Sequence, residues 1–111
     1  MDPRDAALAA FRIGVRANFP TLCAVNLYAA FAETLARRRH HPAVFWGEAQ
    51  LAYDWIGQRA AWLARTLTTD CGLVRGDRVA VWLKNGPELP ATLIGIWRAG
   101  GVVTVINNFL K

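Results

Sequence analysis

The side chains that could perform acid, base or nucleophilic chemistry are few in this sequence and lie far apart. After residue 25, the acidic residues occupy six separate places: Glu33, Glu48, Asp54, Asp70, Asp77 and Glu88. General acid–base catalysis needs a titratable group within hydrogen-bond reach of the reacting atoms, and no local spacing brings two carboxylates together. The sequence contains no serine, and neither cysteine lies in a nucleophile-elbow pattern. The sequence therefore predicts no catalytic residue.

Histidine and cysteine, which commonly bind zinc, do not show the spacing of metal ligands. His40 and His41 are adjacent, and neighbouring side chains on a helix point about 100° apart, so they do not converge on one ion. Cys23 and Cys71 are distant from each other in the chain. We expect two free thiols in a reducing cytoplasm, and we predict no metal site.

Two turns contain glycine near a predicted helix, where phosphate-binding loops are also found. Gly100-Gly101 follows its helix and therefore lies at the wrong end to hold a phosphate. Asn85-Gly86 precedes a helix at the carboxyl end of a strand, where ligands of α/β proteins bind. No lysine, serine or threonine follows this glycine, and Pro87 lacks the N–H group that a phosphate needs. We interpret Asn85 as a helix cap, with a nearby ligand as the alternative, and predict no cofactor-binding residue.

The net charge of +5, from 13 basic and 8 acidic residues, is compatible with an acidic partner. The basic residues cluster once, at Arg37–Arg39 beside the two histidines. No aromatic residues alternate with these arginines, as a base-stacking groove requires. The pattern favours a solvated helix end whose cations complement the helix dipole, with phosphate contact as the alternative.

Neither apolar stretch of the chain has the pattern of a signal peptide or a membrane span. Arg12 and Arg16 interrupt the N-terminal run. The longer stretch, Leu89–Ile106, contains Arg98 and a glycine pair. We expect a soluble cytoplasmic protein without a transmembrane segment.

Apolar periodicity and turn residues divide the chain into an extension and one small α/β unit. Residues 1–25 form the predicted extension, with a short helix over Ala6–Val15; residues 26–111 form the domain. Asn26 is the expected cap of the next helix, which Pro42 ends. A hairpin then joins strands 43–46 and 51–53, and a helix from about Asp54 ends near Gly72.

The last third of the sequence predicts a parallel strand–helix–strand unit. Val79–Leu83 is continuously apolar, which is typical of a strand covered on both faces. A helix beginning near Pro87 has little polar face, and Val102–Ile106 is a second apolar strand. The predicted fold class is α/β, with a small β-hairpin and a parallel β-α-β unit packed by helices.

The order of these turns resembles the N-terminal portion of the AMP-binding, adenylate-forming superfamily, which includes acyl- and aryl-CoA synthetases. The resemblance covers residues 26 to 110 and is carried by motifs in the family order. They are the helix Asn26–Leu35, Pro42-Ala43-Val44, Leu51-Ala52-Tyr53, Gly76-Asp77-Arg78-Val79-Ala80, Asn85-Gly86-Pro87-Glu88 and Ala99-Gly100-Gly101-Val102-Val103. Ala52 replaces the threonine that caps the second helix in the family, so Asp54 is expected to do so. Val105 and Asn108 stand where many members have proline.

The resemblance implies a ligase that joins a carboxylic acid to ATP, releases pyrophosphate and transfers the acyl group to CoA. It implies ATP, Mg and CoA as cofactors of the complete enzyme. The phosphate loop, nucleotide-binding region, hinge and catalytic lysine of the family follow the part matched here. We therefore expect a truncated scaffold of an acid–CoA ligase, inactive alone, and its acid substrate, fatty or aromatic, is left open.

Two other classes of function stay open from the sequence. One is a stand-alone interaction or regulatory module that pairs, or self-associates, through an uncovered sheet edge. The other is a small basic protein that binds nucleic acid or a membrane surface through Arg37–Arg39. The genomic sequence downstream would separate the first of these from a ligase fragment, and salt-sensitive heparin or lipid binding would favour the second.

Overall fold

The computed structural model describes residues 26–107. The predicted helix Ala6–Val15, Cys23 and the boundary of the extension lie outside these residues, as do Asn108 and Lys111. The described elements, in chain order, are α1 (Leu27–Arg38), β1 (Pro42–Trp46), β2 (Ala49–Ala52), α2 (Tyr53–Thr69), β3 (Arg78–Val81), α3 (Glu88–Arg98) and β4 (Val102–Val105). Among them, no helix is both long and apolar enough to cross a bilayer.

The predicted hairpin is confirmed. Strands β1 and β2 pair antiparallel, with Trp46 opposite Ala49 across a turn in which Gly47 has a φ of 58°. This left-handed backbone favours glycine, which has no Cβ to clash. Tyr53 was expected to end the second strand but begins α2 instead. Its N–H donates to the carbonyl of His41 at 3.1 Å, so the chain turns into the helix directly after the hairpin.

The predicted parallel unit is also confirmed. Strand β3 pairs parallel with β4, with Arg78 opposite Val102 and Val81 opposite Val105, and α3 connects the two strands. Both strands end earlier than predicted, at Val81 and Val105. The continuous apolar run predicts a strand covered on both faces, and the described residues cover one of them: Val81 is buried, whereas Ala80 and the following Trp82 are exposed.

Small residues bring α2 and α3 into close contact at the centre of the core. Ala60, Ala64 and Ala91 are buried, together with Ile96. A Cβ atom placed on Gly95 would lie 3.0 Å from the carbonyl oxygen of Ala60, which is tighter than ordinary van der Waals contact. A side chain at this position would therefore require the two helices to move apart by a few tenths of an ångström.

Helix α1 is attached to α3 through its cap. The side chain of Asn26 accepts a hydrogen bond from the N–H of Tyr28 at 2.9 Å, as the sequence predicts for an N-cap. Its amide nitrogen Nδ2 also donates to the carbonyl of Trp97 at 2.8 Å. One side chain therefore caps α1 and satisfies a carbonyl in the last turn of α3.

Two predicted caps are wrong. Helix α3 begins at Glu88 with Pro87 at the N-cap position, and no side chain caps it, so Asn85 lies outside the helix. Asp54 does not cap α2: the N-cap is Ala52, which makes no side-chain bond. The carboxylate of Asp54 instead accepts bonds from Arg39 Nε and Gln58 Nε2, both at 3.0 Å.

Candidate functional site

An open groove with a volume of about 530 Å³ lies between α2 and α3. Its walls are two tryptophans and several aliphatic or polar side chains. The lining residues are Trp55, Gln58, Arg59, Trp62 and Leu63 from α2, and Glu88, Ala91 and Thr92 from α3. The close helix crossing at Gly95 and Ala60 fixes the spacing of these walls.

Arg59 is the centre of the polar part of the groove. Its guanidinium lies 4.3 Å from the centroid of the Trp55 ring, a cation–π geometry. Its Nη1 atom lies 3.2 Å from Glu88 Oε1. Glu88 stands in the first turn of α3, where a carboxylate is stabilised by the positive end of the helix dipole. Both charged side chains are about half exposed, and exposed ion pairs contribute little to the stability of a fold. The main effect of this pair is therefore to hold the two side chains in position in the groove.

Within the groove, the chemistry that these groups can perform is recognition. A guanidinium paired to a carboxylate, with indole rings beside it, can hold an apolar or aromatic group. The Thr92 hydroxyl donates to the carbonyl of Glu88 at 2.8 Å.

A second depression of about 320 Å³ lies beside β3. It is lined by Leu63 and Leu67 of α2, Thr92 and Ile96 of α3, and the run from Val79 to Leu83. Leu63 and Thr92 border both depressions, so an apolar surface continues from the groove to the strand edge.

The turn at Asn85-Gly86, where the sequence allows a ligand, leads from the carboxyl end of β3 into α3. The carbonyl of Gly86 accepts from the N–H of Leu89 at 3.2 Å, which forms the first turn without help from the Asn85 side chain. The next residues are Pro87, which has no N–H, and Glu88, which repels an anion. Both features are unfavourable for a phosphate at this helix end.

The residues considered as metal or phosphate ligands remain dispersed in the fold. No group of three His, Cys, Asp or Glu residues that could hold a metal ion occurs in residues 26–107. The arginine cluster is partly engaged in ion pairs: Arg37 with Glu33, and Arg39 with Asp54 at 3.0 Å. The Cys71 thiol is free and exposed.

The groove itself was not predicted from the sequence, although a signal for it exists. Trp55, Arg59 and Trp62 recur at helical spacing, three or four residues apart, so they share one side of α2. The sequence does not show which helix packs beside this side of α2. Glu88 of α3 lies there because the two helices cross at Gly95.

Comparison with known proteins shows which protein family this chain is similar to. Residues 31–111 match the model of the family described as AMP-binding enzyme. Subunit 2 of surfactin synthase from Bacillus subtilis is 33% identical over 82 residues, which are 74% of this chain and 2% of the synthase. A long-chain-fatty-acid–CoA ligase from Escherichia coli is 35% identical over 83 residues, covering 74% of this chain and 15% of the ligase.

The likeness extends to solved structures. The N-terminal subdomain of NpsA from Klebsiella oxytoca, solved in complex with 3-hydroxyanthranilyl-AMSN, superimposes with a TM-score of 0.69. The sequence identity is 24%, and the match covers 74% of this chain and 21% of that subdomain. This likeness supports the α/β fold, including its parallel strand pair. The family match extends over most of the chain and agrees with the motifs and the fold, and we conclude that the chain belongs to the AMP-binding enzyme family.

Proposed function

We propose that this chain supplies the N-terminal scaffold of an enzyme that activates a carboxylic acid with ATP. The observation that carries the proposal is the family match over residues 31–111, together with the parallel β3-α3-β4 unit on which such a domain is built. In the proposed reaction, a carboxylate oxygen bonds to the α-phosphorus of ATP. The bond between the α- and β-phosphates breaks, and pyrophosphate leaves.

The acceptor of the activated acyl group is proposed to be the thiol of CoA. The fatty-acid–CoA ligase from Escherichia coli supports this choice. The thiolate attacks the acyl carbonyl, and AMP leaves with the electron pair of the carbon–oxygen bond. The likeness to surfactin synthase supports a second candidate, adenylation within a peptide synthetase. Both candidates share the adenylation step.

The contribution of this chain to that step is structural. Residues 26–107 contain one lysine, Lys84, and it does not follow a glycine-rich turn. Donors that orient ATP and stabilise the charge on the transferring group supply most of the rate enhancement of such reactions. We therefore expect the purified 111-residue chain to give no acid-dependent ATP–pyrophosphate exchange above a denatured control. Exchange by the chain alone would overturn the scaffold proposal.

A hybrid enzyme tests the scaffold directly. Residues 26–107 would replace the aligned segment of the Escherichia coli ligase, and acid-dependent pyrophosphate exchange and acyl-CoA formation would be measured. We expect both activities to persist. The matched control carries Gly95→Leu, which separates α2 from α3 and should abolish both. If hybrids made in both the ligase and the surfactin synthase fold but perform no adenylation, the proposal is contradicted.

The same replacement in the surfactin synthase module distinguishes the two acceptors. If the hybrid ligase is inactive while the hybrid synthase retains amino-acid-dependent exchange, the peptide-synthetase candidate is favoured over the CoA ligase.

A further inference from the structure

The turn between β3 and α3 contains an asparagine followed by a glycine, Asn85-Gly86. The other asparagines of the sequence, at positions 18, 26, 107 and 108, precede phenylalanine, leucine or asparagine. Glycine has no Cβ atom, so its backbone nitrogen approaches the side chain of the preceding residue with little steric hindrance. Such a neighbour favours intramolecular attack on the side-chain amide of asparagine.

Within residues 26–107, no hydrogen bond holds the side chain of Asn85 in place. Asn85 is exposed there, and α3 has no side-chain cap. An asparagine in a turn commonly accepts a hydrogen bond from the N–H two residues ahead, but that residue is Pro87, which has no N–H. The side-chain amide of Asn85 can therefore rotate toward the backbone of the next residue.

The backbone nitrogen of Gly86, which would be the attacking atom, is likewise unbonded within the described part of the chain. The carbonyl of Gly86 is engaged instead, because it accepts from the N–H of Leu89 at 3.2 Å. A Cβ atom placed on Gly86 would meet no described atom within 4 Å, so the space around this peptide is open. The fold therefore leaves both reacting groups, which are adjacent in the chain, free to approach each other.

We propose that Asn85 is a site of spontaneous deamidation. The Gly86 nitrogen gives its proton to solvent and attacks Cγ of Asn85, the Cγ–Nδ2 bond breaks, and Nδ2 takes up a proton and leaves as ammonia. Water then opens the resulting cyclic succinimide at one of its two carbonyls. Opening at one carbonyl gives aspartate, and opening at the other gives isoaspartate, in which the main chain continues through the former side chain. Water is the one reactant that these steps consume.

The modification changes the connection between β3 and α3. Both products carry a new carboxylate at residue 85, on the N-terminal side of Glu88, and lower the net charge of the chain by one. Isoaspartate also lengthens the main chain by one carbon directly before α3, the helix that places Glu88 beside Arg59.

Incubation of the purified 111-residue chain at neutral and at mildly alkaline pH, followed by mass spectrometry of its peptides, tests the proposal. We expect the peptide that contains Asn85 to exchange an amino group for a hydroxyl, faster at the higher pH because the attacking nitrogen must lose its proton. Isoaspartyl methyltransferase should label this peptide, since attack by the backbone gives both products. Formation of aspartate alone would overturn the succinimide route.

Asn26 is the internal control. Its side chain makes hydrogen bonds at 2.8 and 2.9 Å to Trp97 and Tyr28, and the residue after it is leucine. We expect the peptide that contains Asn26 to keep its amide while Asn85 reacts. Equal conversion at the two positions would contradict the role assigned to the open turn.

The same incubation in urea separates the contribution of the fold from that of the sequence. We expect Asn85 of the folded chain to react at a rate within severalfold of that of the unfolded chain, because the turn leaves both reacting groups unbonded. A folded chain that keeps its Asn85 amide while the unfolded chain loses it would refute the proposal.

Gly86→Ala tests the attacking residue. Gly86 does not have a left-handed φ, and the space around it is open among the described residues, so alanine fits the turn. We expect this substitution to slow the reaction severalfold or more, because the added Cβ hinders the approach of the nitrogen. Circular dichroism checks that the variant folds, and the same slowing in urea removes any effect of the substitution on folding. An unchanged rate in Gly86→Ala would show that the Gly86 nitrogen is not the nucleophile.

Discussion

At the scale of single residues, Asn26 and Asn85 show that a cap residue in the sequence does not guarantee a cap. The Asn26 side chain bonds both to Tyr28 N–H and to the carbonyl of Trp97, whereas Asn85 caps no helix. We expect Asn26→Ala to lower the free energy of unfolding by about 1 kcal/mol or more. Asn85→Ala should change it by less than about 0.5 kcal/mol. Urea titration of both variants measures this, and equal losses would show that Asn85 does act as a cap.

Ala52 is the opposite case: it occupies the N-cap position of α2, but its side chain cannot cap the helix. Its φ of −74° and ψ of 162° are those of a normal N-cap, but alanine cannot accept from the first N–H groups of α2. We expect Ala52→Thr to raise the free energy of unfolding by about 0.5 to 1 kcal/mol. Ala52→Val is the control because it has the same shape and no hydroxyl. If valine stabilises as much as threonine, packing and not capping is responsible.

At the scale of elements, two glycines of the helix contacts are expected to respond differently to alanine. A Cβ on Gly95 would meet the Ala60 carbonyl at 3.0 Å, a backbone atom that yields only if α2 moves. A Cβ on Gly57 would approach Leu35 Cδ2 at 2.8 Å, the end of a flexible side chain. Alanine also gains about 1 kcal/mol in helix propensity over glycine.

We therefore expect Gly95→Ala to destabilise the protein by about 1 to 3 kcal/mol despite that gain, and Gly57→Ala to be near neutral or stabilising. Thermal unfolding of the two variants provides the comparison. A loss at Gly57 as large as that at Gly95 would mean that Leu35 is as immobile as the backbone of Ala60.

The sequence predicted the positions of the helices and strands better than it predicted which of their side chains are exposed. Turn glycines and apolar runs placed the hairpin and the parallel pair, because these signals are local. The exposure of Trp82 and the groove around Arg59 depend on which elements cover them, and that is set by contacts distant in sequence. The cap at Asn85 failed for a different, local reason: the Gly86 carbonyl accepts from the Leu89 N–H in the first turn, and no side chain caps the helix.

At the scale of the whole molecule, the uncovered sheet face and the net charge act in opposite directions. Trp82 and Val105, which are 71% and 60% exposed, favour association. A net charge of +5 on each copy opposes it. Repulsion between two such copies is screened as salt is added, since the Debye length falls from about 30 Å at 0.01 M to about 10 Å at 0.1 M. Backbone hydrogen bonds and apolar contacts are much less sensitive to salt.

We therefore expect self-association of the purified chain to become tighter by severalfold when the salt concentration rises from about 0.01 to about 0.1 M. Sedimentation equilibrium at the two concentrations measures this, and Trp62→Glu provides a charge control, because its lower net charge should reduce the gain. The opposite response would be informative as well. If salt weakened the association, attraction between charged groups would dominate it, and the exposed apolar side chains would not account for the contact.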